Sequence, residues 1–367
     1  MPATTTPSTM LPRDTPVRLL DETGTAVSDA DYRFPARERL LDGYRALVEG
    51  RRINDQCNAL VRQGRLAVYP SSHGQEACQV AAVGALDAGD WLFPTYRDSV
   101  AVMLRGVRPA DAMVLLKGDW HNGYNPHDHN VAPLTTPLAT QLLHAVGFAH
   151  AAVLKGENTV VLAMCGDGAT SEGDFHEALN FAAVFRLPVV FLVQNNRFAI
   201  SVPLSRQTAA ESLAHKAIGY GMPGERVDGN DLAALASVLE VAVARARSGG
   251  GPTLVEAHTY RMQAHTNADD DTRYRERSEV QEWVARDPLT RLRAHLTSTN
   301  LLDASTEAAI ADEADATATE LRDALNADTA PDPRALFEHV YAAHNPQLDE
   351  QYERLRGELA RSREDAR

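Results

Sequence analysis

The chain is short of cysteine, of long apolar runs and of positive charge, and each shortage closes off a class of protein. Its three cysteines are Cys57, Cys78 and Cys165. They form no CxxC pair and no metal-ligand spacing, so the simplest reading is reduced thiols in a cytoplasmic protein. No stretch approaches the roughly 18 apolar residues that a membrane span requires. The first residues, Met1 to Pro7, lack a basic region followed by an apolar one, so no secretory signal is read there. Lys and Arg number 36 against 50 Asp and Glu, a net charge of −14, and the basic residues are spread out. Duplex nucleic acid is therefore not an expected partner, although a local arginine or a helix N-terminus can still hold an anion. Two nucleotide signatures are missing from the glycine-rich turn as well: Gly166-Asp-Gly168 does not continue as GxGxxG, and no GK[ST] follows it.

What is present is an ordinary globular composition, 44% hydrophobic and 23% charged over 367 residues. That excludes a wholly disordered or collagen-like chain and allows a large core. Residues 1–16 are rich in Thr and Pro, and the chain as far as residue 34 reads as a flexible arm. The segment 35–51 carries Leu40, Leu41, Tyr44, Leu47 and Val48 at helical spacing, and 74–86 reads as a second helix. Residues 90–94 read as a short strand or turn. From 118 to 137 periodicity stops and turn formers crowd in, which marks a long loop. His121, His127 and His129 lie there; no Cys or Glu completes a ligand set, so ordinary loop histidines are expected rather than a metal site.

Further on, an Ala-rich helix over 141–154 precedes a buried-type strand over 159–165. A helix over 171–185 precedes a second strand over 188–193. A helix over 232–247, capped by Asn230 or Asp231 and ended by Gly249-Gly-Gly251, precedes a third strand over 252–257. Strand and helix alternate, so the expected class is α/β, a parallel sheet with helices on both faces. The main domain is read as 35–330. Residues 303–328 read as an acidic, solvated helix surface. In the helical tail, 331–367, Leu348, Tyr352, Leu355 and Leu359 form a stripe that should pack on the core or on a partner.

The chemistry is concentrated in Cys165-Gly-Asp-Gly-Ala-Thr-Ser-Glu-Gly173 and in Gln194-Asn195-Asn196, which lies 26 residues beyond Gly168. Both follow predicted buried strands. In an open parallel sheet, ligands bind beyond the carboxyl ends of the strands. Gly166 and Gly168 permit a tight turn and close approach of a ligand to the backbone. A helix starting near Ser171 aims its amides at the same place, which suits a phosphate. Asp167 and Asn196 offer oxygens from neighbouring strand ends, as Mg²⁺ between protein and phosphate requires.

GDG followed by NN at this distance resembles the thiamine-diphosphate motif. From about Arg37 to Tyr341 the chain resembles the alpha subunit of the decarboxylating component of 2-oxo acid dehydrogenase complexes. The motifs that carry the resemblance are Phe93–Arg97, Thr135–Gln141, Gly166–Asn180, Gln194–Ser201, Val227–Asp231 and Tyr260–Arg275; the second is most like the branched-chain members. The resemblance implies the thiamine-diphosphate-binding fold. It implies Mg²⁺ held by the side chains of Asp167 and Asn196 and by the Phe198 carbonyl. The diphosphate would meet the backbone of Gly166, Gly168 and Ala169 and the side chains of Tyr96 and Arg97, with Thr136, Leu138 and Ile200 along the cofactor. Thr135, Pro137, Thr140 and Gln141 would surround a K⁺ ion. His265 would be the catalytic histidine near the thiazolium end, on a loop ordered by Arg261, Asp269, Tyr274 and Arg275.

The resemblance also implies partners. The glutamate that activates the cofactor's aminopyrimidine ring belongs to a separate beta subunit, so an α₂β₂ assembly is expected. It would act on a branched-chain 2-oxo acid and pass the acyl group to a lipoyl acyltransferase. Three positions depart from the branched-chain pattern. Gln194 stands where many relatives have Arg, which removes one charge contact to the diphosphate. Thr266 stands at the regulatory phosphoserine position, and Phe198 replaces a Tyr or Trp. Pyruvate or acetoin as substrate, and a non-catalytic scaffold subunit, remain open alternatives. A nucleotide-binding oxidoreductase is opposed by the lack of a dinucleotide fingerprint at the Gly166-Asp-Gly168 turn.

Overall fold

The computed structural model describes residues 10–119, 122–327 and 332–365. Seven strands occur among them: β1 (Trp91–Phe93), β2 (Val161–Gly166), β3 (Val189–Asn195), β4 (Phe198–Ala199), β5 (Val202–Pro203), β6 (Gly224–Asp228) and β7 (Thr253–His258). Five build one parallel sheet in the order β1-β2-β3-β7-β6, and β4 and β5 form a small antiparallel hairpin. The main helices are α1 (Arg37–Arg62), α2 (Glu76–Gly84), α3 (Thr140–Lys155), α4 (Gly173–Val184), α5 (Leu232–Arg247), α6 (Pro288–Ser298), α7 (Ala304–Asn326) and α8 (Pro346–Asp365).

The strands are apolar on both faces because both faces are covered. Along β2 and β3, Leu162, Met164, Val190 and Leu192 face a core shared with α1, α2 and α5. The alternate residues Val161, Ala163, Val189, Phe191 and Val193 face a second core shared with α3 and α4. This is the expected α/β class. Asp231 caps α5, its side chain accepting from Ala234 N–H.

Several boundaries differ from the sequence reading, each for a physical reason. The arm reading needs correcting within its described part. Val17 pairs with Val227 on the free edge of β6, Leu19 and Leu20 are buried, and both of their N–H groups donate to Asp231. The edge strand is thereby covered. Residues 1–9 lie outside the described residues. Helix α1 runs eleven residues past Arg51, to Arg62, because Ile53, Cys57 and Leu60 continue its buried stripe beyond the polar Arg51-Arg52 pair. Helix α7 is acidic outside, but Ile310, Ala314, Ala318, Leu321 and Leu325 are buried, and the helix packs along α1.

The loop after residue 118 holds one short turn of helix, Pro126–His129, with His127 edge-on to Trp91 and His129 edge-on to Tyr124. His121 lies outside the described residues, and no cluster of three or more His, Cys, Asp or Glu that could hold a metal occurs among the described ones. In α8 the stripe stays partly exposed, with Tyr352 packed on Phe337 at 5.8 Å. No helix among the described residues is long and apolar enough to cross a membrane.

Candidate active site at the carboxyl ends of the strands

Four strand ends converge on one cavity of about 430 Å³. β1 runs into Thr95-Tyr96-Arg97, and Thr95 pairs with Thr135, which brings the 135–141 loop alongside. β2 runs into Gly166-Asp167-Gly168, β3 into Gln194-Asn195-Asn196, and the chain after β7 carries Arg261 and His265. Tyr96, Arg97, Thr136, Leu138, Gly166, Asp167, Gly168, Ala169, Asn196, Phe198, Ile200 and His265 all line it, as do Thr135, Pro137 and Gln141. Thr140, the first residue of α3, is not among the lining residues. Gly168 has a local steric cause: a Cβ there would lie 2.7 Å from the Ala199 Cβ of β4.

One wall of the cavity is made of oxygens. Asp167 is only 1% exposed, and burial pushes its carboxyl up from the ordinary range. Gln207 opposes that shift, donating to Asp167 Oδ2 at 2.8 Å. Asn196 donates its amide N–H to Gln75 Oε1 at 3.1 Å and accepts from Phe198 N–H at 3.3 Å. The Asn196 amide oxygen then stands 3.3 Å from Asp167 Oδ1 and 3.1 Å from the Phe198 carbonyl. Turning the amide over would give both of those oxygens a donor, but would set the Asn196 oxygen against Gln75 Oε1. An amide oxygen this close to a carboxylate oxygen and a carbonyl oxygen is the kind of cluster a small divalent cation needs. Adjacent corners of a Mg²⁺ octahedron lie about 3 Å apart. The residues present therefore fit such an ion.

The opposite wall is cationic. Arg97 is buried and donates to Ser71 O at 2.8 Å and to His265 O and Nδ1, both at 3.1 Å. Arg261 is also buried; it donates to Gln263 O, Ile200 O, the Tyr274 hydroxyl and, at 3.3 Å, His265 Nδ1. Every one of these partners is neutral. Two buried guanidiniums without a bonded carboxylate form a site for an anion. His265 takes the consequence: burial first, then the charges of Arg97 and Arg261, push its pKa down to about 4. Because Nδ1 accepts from guanidinium N–H groups, the ring proton of the neutral imidazole is on Nε2. The loop is pinned by Asp269, which accepts from His265 N–H at 2.8 Å and from the Tyr274 hydroxyl at 2.5 Å. Arg275 pairs with Asp271.

Sequence reasoning missed Gln75 and Gln207, which arrive from outside the recognisable motifs. It treated Gln194 only as a lost arginine. In the structure Gln194 lines the cavity and is fully engaged, donating to Asp98 Oδ1 at 2.7 Å and accepting from Gln75 Nε2 at 3.0 Å. Burial pushes the Asp98 carboxyl up, while bonds from Gln194 and from Thr95 N–H act to hold it ionised.

A doubly covered parallel sheet whose strand ends set a carboxylate–amide oxygen cluster across one cavity from two guanidiniums bonded only to neutral groups has the layout of a cofactor-dependent α/β enzyme. The family follows from comparison. Residues 45–334 match the Dehydrogenase E1 component family, a thiamine-diphosphate-dependent family, and the chain belongs to it. It is 48% identical over 348 residues to the 3-methyl-2-oxobutanoate dehydrogenase subunit alpha of Mycobacterium tuberculosis (strain ATCC 25618 / H37Rv), covering 95% of each chain. It is 38% identical over 339 residues to the pyruvate dehydrogenase E1 component subunit alpha of Staphylococcus aureus (strain N315), covering 92% of this chain and 91% of the relative.

Proposed function

We propose that this chain is the alpha subunit of a branched-chain 2-oxo acid dehydrogenase. With a beta subunit, in an α₂β₂ assembly, it would decarboxylate branched-chain 2-oxo acids and pass the acyl group to a lipoyl acyltransferase. The observation that carries the reading is the pairing of walls: the Asp167 carboxyl, the Asn196 amide and the Phe198 carbonyl cluster across one cavity from two guanidiniums without bonded carboxylates.

In this reading Asp167, Asn196 and the Phe198 carbonyl hold Mg²⁺, and Arg97 holds the diphosphate with Tyr96 and the backbone at Gly166, Gly168 and Ala169. Thiamine diphosphate, when bound, supplies the electron sink that decarboxylation needs. The chain's own residues do the rest. Arg97 and Arg261 lock the imidazole of His265 in one tautomer, which keeps a proton on Nε2 for transfer at the reacting centre. Asp269 fixes that loop's backbone. Leu138 and Ile200, at the cavity rim, are 44% and 55% exposed, which supports a partner chain closing the site over them. The Gln141 Oε1 is buried with no hydrogen-bond partner, which supports K⁺ among Thr135, Pro137, Thr140 and Gln141.

The test is co-expression with the neighbouring beta chain, thiamine diphosphate and Mg²⁺, followed by decarboxylation with an artificial electron acceptor. Turnover favouring the 2-oxo acids of valine, leucine and isoleucine is expected. Preference for pyruvate, which the Staphylococcus aureus relative would favour, overturns the substrate assignment. A stable, cofactor-loaded complex that turns over no 2-oxo acid overturns the enzyme reading.

A further inference from the structure

The Asn196 amide meets the oxygen wall with the end that makes sense only for a cation, and its orientation is set elsewhere. A primary amide has nearly the same shape turned over, so some other group must choose which end faces the site. The hydrogen bonds lead back through three buried side chains. Asn196 Nδ2 donates to Gln75 Oε1 at 3.1 Å. Gln75 Nε2 donates to Gln194 Oε1 at 3.0 Å. Gln194 Nε2 donates to Asp98 Oδ1 at 2.7 Å. Asp98 Oδ2 is committed to Thr95 N–H at 2.8 Å. Asp98 is fully buried, and Gln75 and Gln194 are nearly so.

We infer that Asp98, acting through Gln194 and Gln75, orients the Asn196 amide so that its oxygen, and not its NH₂, faces the divalent cation. These three are positioning residues, and the inference rests on the reading of Asp167, Asn196 and Phe198 as the cation site. The logic is one of polarity. A carboxylate can only accept, so Gln194 must offer it an N–H. That leaves the Gln194 oxygen for Gln75, and the Gln75 oxygen for Asn196. Every amide in the row then has one permitted orientation. None of the three touches the cation position in this arrangement, yet each determines what the cation meets. Gln194 thereby has a role quite different from that of an arginine at the same place.

The relay predicts a sign change that packing alone does not. In Asp98→Asn the oxygen of the new amide stays on Thr95 N–H and its NH₂ turns to Gln194. The row reverses, and Asn196 presents NH₂ to Asp167 and Phe198. In Asn196→Asp alone, a carboxylate oxygen is set against Gln75 Oε1. In the double variant Asp98→Asn/Asn196→Asp the reversed row donates from Gln75 Nε2 to one oxygen of residue 196, and the other oxygen is free for the cation. Two harmful changes should therefore compensate each other.

The experiment measures Mn²⁺ affinity by electron paramagnetic resonance on the complex with the beta chain, with saturating thiamine diphosphate, alongside thermal melting to check assembly. Each single variant is expected to weaken Mn²⁺ binding by about 10–100-fold, the usual cost of disturbing the support of a metal ligand. The double variant is expected to recover most of that loss. Unchanged affinity in Asp98→Asn, or a double variant as weak as the singles, overturns the relay while leaving the cation site standing. Absence of Mn²⁺ binding in the unaltered complex overturns both. Should Asp98→Asn fail to assemble, Gln194→Met cuts the same row one link nearer the site. It is expected to weaken binding and to be rescued by Asn196→Asp; no weakening, or no rescue, overturns the relay.

Discussion

The two walls of the cavity are built on opposite principles. On the β2–β3 side the polar groups have protein partners: Asp167 with Gln207, Asn196 with Gln75, Gln75 with Gln194 and Gln194 with Asp98. What is left over is lone pairs. On the β1–β7 side the guanidiniums are also hydrogen-bonded, but only to neutral groups, so what is left over is charge. A wall with spare lone pairs favours a cation and a wall with spare positive charge favours an anion. A Mg²⁺-diphosphate is a ligand that satisfies both at once. A ligand of both signs lets the site be this buried without a protein ion pair spanning it.

Removing the carboxylate should have the largest effect. Asp167→Ala should abolish cofactor-dependent turnover and lower divalent-cation affinity by more than the roughly 10–100-fold that disturbing a ligand's support costs. Titration of Mn²⁺ into the α–β complex with thiamine diphosphate checks this. The chain should still fold and assemble, because Asp167 lies on a turn at the sheet's end rather than within either core. Retained cation binding would show that the oxygen wall does not hold the ion.

The opposite wall is broken by Arg97→Ala. One charge-assisted hydrogen bond is worth about 1.5–3 kcal/mol, so thiamine diphosphate should bind roughly 10–100-fold more weakly by titration calorimetry. The same change can be read at His265, which reports the spare charge. Its pKa of about 4 is set by burial and then by Arg97 and Arg261. It should rise in Arg97→Ala and also when an anion binds the intact site. The pH dependence of diethyl pyrocarbonate modification of His265, read by mass spectrometry, measures both. The stability sign follows from linkage. Between about pH 6.5 and pH 4 the unfolded chain binds a proton that folded His265 refuses, so this group's contribution is full above pH 6.5 and is lost as pH falls. Occupying the anion site should narrow that loss.

The walls also differ in how far the sequence shows them. Asp167 and Asn196 are legible because each closes a run of apolar strand residues, and a parallel sheet presents such ends to a ligand. Arg97 and His265 come from resemblance, since nothing in local spacing separates Arg97 from a surface arginine. Gln75, Gln194 and Asp98 could not be read as a row, because their partnership is made across 119 and 96 residues of chain. The same holds at the sheet's far edge. Val17, Leu19 and Leu20 sit beside a Thr- and Pro-rich stretch, and only their pairing with β6 and Asp231 turns an apparent arm into part of the fold. Periodicity reports what one element does; polarity matched between distant elements leaves no local trace.

The smallest expected effect lies at the junction of the walls, where Gln141 bonds Met164 O through Nε2 at 2.8 Å and leaves Oε1 buried without a donor. A buried, unmet oxygen costs about 1–3 kcal/mol. Among the proposed neighbours Thr135, Pro137 and Thr140, a K⁺ ion would remove that cost without a hydrogen bond. The chain should therefore melt higher in KCl than in choline chloride of equal ionic strength, by about 2 °C per kcal/mol recovered at this size. Gln141→Met removes the oxygen together with its demand, so the variant should melt at the same temperature in both salts. Equal melting of the unaltered chain in the two salts would leave the orphaned oxygen as a standing cost of the fold. A K⁺ dependence that survives Gln141→Met would assign the ion to other oxygens. Either result separates the lone-pair wall, which asks for cations, from the charged wall, which should respond to neither change.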